Sequence, residues 1–149
     1  MKANGLDLVC GNVVPSGKPT DSWPCSYSDY PNASVFSHNN GNVEKEKYVE
    51  GIYVGYRYFD TFNIPVRYCF GYGLSYTNFA IETMAVTLGT QEPEIGVKVK
   101  ITNVGAHYTG REVVQLYVSC PQDKIDKEYR RLVGFYKTKP LAPGESEEK

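Results

Sequence analysis

The chain has 149 residues, 41% of them hydrophobic and 22% charged, with a net charge of −1. That balance describes a globular chain with room for one ordinary domain, or for a small domain plus a piece of another. It argues against a disordered chain, against a basic face for nucleic acid, and against a helix of the ~20 apolar residues that would cross a membrane.

The opening MKANGLDLVCG is broken by Asn4, Gly5 and Asp7 and does not read as a signal peptide. Residues 3–10 carry Leu6, Val9 and Cys10 on one side, which predicts a helical turn or two stopped at Gly11 and Asn12. Pro15, Gly17, Pro19 and Pro24 then forbid a long regular element, and the Tyr-, Ser-, Asp- and Asn-rich run continues to about residue 42. So long an irregular stretch is expected to lie against a larger body. Within it, Asn32-Ala33-Ser34 is a sequon that matters only in a eukaryotic secretory pathway.

Residues 48–78 gather seven of the 13 tyrosines, with four glycines and three phenylalanines. Tyr48–Gly55 is expected to be a short strand or an extended segment turning at Gly55. Tyr56–Phe62 has helical spacing, ended by Asn63 and Pro65, and the Gly71 and Gly73 pair predicts a tight loop under aromatic rings. After Asn78 the apolar period changes to two. Phe79, Ile81, Thr83, Ala85 and Thr87 are expected to share one strand face; Val97, Val99 and Ile101 share a face of the next. REVVQLYVS places Val114, Leu116 and Val118 inward, Gly134 suggests a bulge in RLVGFYKT, and LAPGES reads as the turn into a further strand. The fold class expected is α+β, mostly β: a loop-rich end of an α/β domain, then a partial immunoglobulin- or fibronectin-like β-sandwich that stops before its usual seven or so strands. Residues beyond about Gln91 would then be only marginally stable.

Cys10, Cys25, Cys69 and Cys120 are widely spaced, and with only His38 and His107 beside them no zinc-type ligand set is present. Unpaired cysteines favour a reducing, cytoplasmic setting. His38 in SHNNGN and His107 at a hairpin tip read as surface residues, and GYG lacks the GK[ST] of a phosphate loop. The residues with a chemical case are Glu50, Tyr56, Tyr58 and Asp60, joined by Tyr53 and Tyr72: rings that could stack on a sugar and carboxylates that could bond its hydroxyls. A structural reading stands beside each. Glu50 would accept bonds from a turn, Asp60 would pair with Arg57 or cap the turn at Thr61, and the tyrosines would be buried with satisfied hydroxyls.

Several motifs in order resemble the glycoside hydrolase family 3 enzymes of the β-glucosidase type. VVPSGKPTDSWP is similar to a stretch closing the family's α/β-sandwich domain, YVEGIYVGYRYFD to its "YxEGIYVGYRYFD", and CFGYGLSYT to its "PFGYGLSYT". ITNVGAHYTGREVVQLYVSCP and RRLVGFYKTKPLAPGES resemble the opening of its fibronectin type III-like domain. Cys69 stands where proline is usual, and Pro19-Thr20 replaces a Leu-Pro order. The resemblance implies residues 1–78 as the end of the α/β-sandwich domain with an aromatic linker, and residues 79–149 as the start of the fibronectin-like domain. It further implies a parent that hydrolyses terminal β-glycosidic bonds by a retaining mechanism, with no cofactor and no metal. The partners implied are an oligosaccharide or glycoside substrate and the N-terminal domains of the same enzyme. The Asp nucleophile and the acid/base Glu of that mechanism belong to motifs upstream of Met1, so no residue here receives a catalytic role. The aromatic stretch would then be a seam docking the fibronectin-like domain onto the catalytic body. The competing expectation is a free-standing module that binds carbohydrate or protein.

Overall fold

A computed structural model describes residues 5–37, 39–89 and 94–149. The first helix, α1 (Gly5–Val9), ends where expected: Gly11 adopts φ +76° and Cys10 N–H bonds back to the Leu6 carbonyl. The strand β1 (Trp23–Pro24) pairs antiparallel with β2 (Val66–Tyr68), a pairing that no local pattern announced. Between them, residues 48–55 form no strand. The chain turns at Gly51, where Tyr53 N–H meets the Glu50 carbonyl, and again at Gly55; both glycines have φ +58°. Helix α2 (Tyr56–Thr61) follows and stops at Asn63, whose φ of 52° breaks the helix.

The remaining strands are β3 (Phe79–Leu88), β4 (Ile95–Asn103), β5 (Val113–Val118), β6 (Arg131–Lys137) and β7 (Ser146–Glu148). They form a three-stranded sheet in the order β3-β4-β7 and a two-stranded β5-β6 sheet. A bulge in β3 changes the expected alternation. Thr83 opposes Val99 and Ala85 opposes Lys98, so Met84 is the extra residue. Beyond it Val86 and Leu88, rather than Ala85 and Thr87, share the face of Ile81, opposite Val97 and Ile95. That apolar ladder is fully buried at Ile101, while Leu88 at its far end is 75% exposed. In β6, a Cβ on Gly134 would meet the Leu116 side chain at an ordinary 3.9 Å.

The chain divides into two units. The first comprises residues 1–17, 73–114 and 135–149 and is built on the three-stranded sheet. Its buried centre includes Ile101, Leu141, Asn103, Thr77 and Thr138. Gly110 bridges Leu141, and Tyr76 holds α1 by donating its hydroxyl proton to the Leu8 carbonyl. The second unit comprises residues 18–72 and 115–134 and is built around α2. Phe59 is its buried apolar centre, with Ser22 and Glu128 the buried polar groups.

Candidate functional site

The second unit holds all six residues with a chemical case. Two of them tie α2 to the segment 128–132. Asp60 pairs with Arg130 at 2.8 Å rather than with Arg57, and Thr61 Oγ1 accepts the Tyr129 N–H. Tyr56 packs its ring edge-on to Tyr117 and against Phe70, and its hydroxyl accepts the Leu132 N–H at 2.8 Å. The Arg130 guanidinium also lies 4.8 Å from the centre of the Tyr117 ring. Burial pushes the Tyr117 phenol up, and Arg130 pulls it part of the way back. The arginine is itself held more firmly protonated by its bond to Asp60.

The glycine loop belongs to the same construction. Gly71 has φ +79°, and a Cβ there would run into the amide of Gln115. Its N–H donates to the Pro19 carbonyl, and the neighbouring Phe70 N–H donates to the buried Ser22 hydroxyl. GYG is thus a close backbone approach. Tyr72 packs on Tyr68, and Tyr53 on Phe62.

Glu50 and Tyr58 lie elsewhere in this unit, lining a cleft of about 320 Å³ with Asp21, Tyr27, Tyr30 and Phe59. Asp21 accepts the Ser22 N–H at 2.8 Å. Burial raises the Tyr30 phenol, and the Asp21 carboxylate raises it further. Asp21, Tyr27 and Tyr30 were not singled out from sequence, since their run shows no periodicity. Only the fold of α2 beside it makes the cleft. His38 lies outside the described residues, and His107 is exposed. All four cysteines are exposed and unpaired, and no group of three or more His, Cys, Asp or Glu side chains with metal-binding geometry occurs among the described residues.

With this geometry in place, likeness to known proteins identifies the class. Residues 112–148 match the fibronectin type III-like domain. β-Glucosidase 3B from Thermotoga neapolitana, solved in complex with glucose, is similar with a TM-score of 0.86 and 42% identity, covering 96% of this chain and 20% of that one. The β-glucosidase from Kluyveromyces marxianus, also with glucose, gives a TM-score of 0.87 at 36% identity over 96% of this chain and 16% of its own. Beta-glucosidase A of Butyrivibrio fibrisolvens is 40% identical over 94% of this chain. The class is a mostly β, fibronectin-like portion of a much longer enzyme type: the chain spans only 18% of the Butyrivibrio relative. It belongs to the β-glucosidase-type glycoside hydrolases of family 3, and corresponds to their C-terminal, fibronectin-like portion.

Proposed function

We propose that this chain serves an enzyme that removes terminal β-linked sugars from oligosaccharides or glycosides with retention of configuration. Retention requires a carboxylate nucleophile and a carboxylic acid ~5–5.5 Å apart. In this reading both come from outside the 149 residues. Residues 1–78 close the α/β-sandwich domain and residues 79–149 are the start of the fibronectin-like domain, which contains the matched 112–148 stretch. The observation that carries the reading is the agreement of nearly the whole chain, at 42% identity, with β-glucosidase 3B.

The work of this portion is structural: it presents a rigid aromatic seam to the catalytic body. Tyr56 and Asp60 serve that rigidity through Leu132 and Arg130. Of the candidates, Glu50 and Tyr58 are the two that line the cleft. A chimera tests the reading. The matching portion of the Thermotoga enzyme is replaced by this chain, and hydrolysis of an aryl β-glucoside is measured. Activity within about tenfold of the parent is expected; a folded but inactive chimera would count against it.

A further inference from the structure

We propose that the cleft lined by Asp21, Tyr27, Tyr30, Glu50 and Tyr58 receives the guanidinium of an arginine presented by a partner polypeptide. Among the described residues its charged lining consists of two carboxylates, with no lysine or arginine. Its walls are aromatic rings set steeply to one another: Tyr30 meets Phe59 at 70° and Tyr58 meets Phe59 at 74°. Rings at such angles present both faces and edges to the cleft. Carboxylates only accept hydrogen bonds, and a guanidinium offers five donors in a plane that also stacks on rings.

The same unit already contains this arrangement in finished form. Arg130 is bonded to Asp60 at 2.8 Å and lies over the Tyr117 ring at 4.8 Å. The cleft repeats the acid and the rings without the base. The inference goes beyond the proposed glycosidase role and does not depend on it. Relatives such as the Butyrivibrio enzyme, of which this chain spans 18%, possess ample further polypeptide from which an arginine could come.

The test is calorimetric titration of the 149-residue chain with N-acetyl-arginine methylamide, and with the citrulline analogue as its neutral isostere. Cellobiose is the third titrant. Saturable binding of the arginine probe alone is expected, weakened about tenfold by Glu50→Gln and similarly by Asp21→Asn, with Tyr58→Leu weakening it as well. Asp21→Asn keeps an oxygen for the Ser22 N–H, so its fold should survive; amide NMR spectra check that for every variant. Equal binding of the citrulline analogue, unchanged affinity in both carboxylate variants, no saturable arginine binding, or binding of cellobiose in its place would each overturn the proposal.

Discussion

The Thr77 hydroxyl donates a 2.6 Å hydrogen bond to Oδ1 of Asn103, and both residues are buried. The bond joins two motifs far apart in the chain, GLSYT and ITNVG. Asn103 uses its whole amide. Oδ1 also accepts the Gly105 N–H, and Nδ2 donates to the carbonyls of Tyr108 and Leu141. A Cβ on Gly105 would collide with the Thr77 hydroxyl, and one on Gly110 would press within 2.7 Å of its methyl. The glycines, the threonine and the asparagine are therefore one interlocked solution.

Replacing Asn103 with alanine strands buried donors and acceptors, so a loss of about 3–5 kcal/mol is expected in urea unfolding. Thr77→Val keeps the shape and removes one donor, costing about 1–2 kcal/mol. The double variant should fall short of the sum by about 1 kcal/mol or more, because the pair interact directly. Strict additivity would contradict the linkage.

Gly71→Ala should destabilise by about 1–3 kcal/mol, combining a left-handed backbone with overlap on Gln115. Gly41 has φ +76° with nothing within 4 Å of its would-be Cβ, so Gly41→Ala measures the backbone cost alone, about 1 kcal/mol. Adding Gln115→Ala to Gly71→Ala should recover part of the excess in a thermal melt. No recovery would mean that the loop tolerates a side chain in some other way.

Arg130→Met should raise the Tyr117 phenol still further, since burial lifts it and the arginine opposes that lift. NMR titration of ring-labelled tyrosine reads the shift directly. A downward shift would contradict the geometry of Arg130 over the ring. Because Arg130 is partly exposed, the accompanying loss of stability should be small.

Acid should weaken the fold. Glu128 is held below the ordinary carboxylate range first by its bond from Arg131, Glu145 by the Ala142 N–H and then Lys139, and Glu148 by Lys98. A carboxyl whose folded pKa is depressed binds its proton more readily in the unfolded chain. Its contribution is therefore present above the ordinary value, near 4.3, and disappears as pH falls through the lowered folded one. The urea midpoint should be flat from pH 7 to about pH 5 and decline below that. A midpoint rising on acidification would contradict the assignments. The Lys98–Glu148 share, exposed on both sides, should shrink in salt.

Local chemistry made much of this legible. Gly11 stops α1, Asn63 stops α2, and Val97, Val99 and Ile101 alternate as read, because each depends on neighbours within a turn or a pleat. What stayed hidden was non-local. Met84 bulges β3 without glycine or proline to mark it, and Trp23 pairs with Tyr68 across α2. Asp60 bypasses Arg57, one helical turn away, for Arg130 because the segment 128–132 is brought against the helix. The cleft escaped for the same reason: Asp21 and Glu50 lie in separate loops that sequence alone could not bring together.

In the proposed role this chain supplies neither of the reacting carboxylates of the family 3 enzyme it serves. The most direct measurement is nitrophenol release from an aryl β-glucoside by the purified 149-residue chain. Release no faster than in buffer is the predicted result, and turnover at an enzyme-like rate would contradict it.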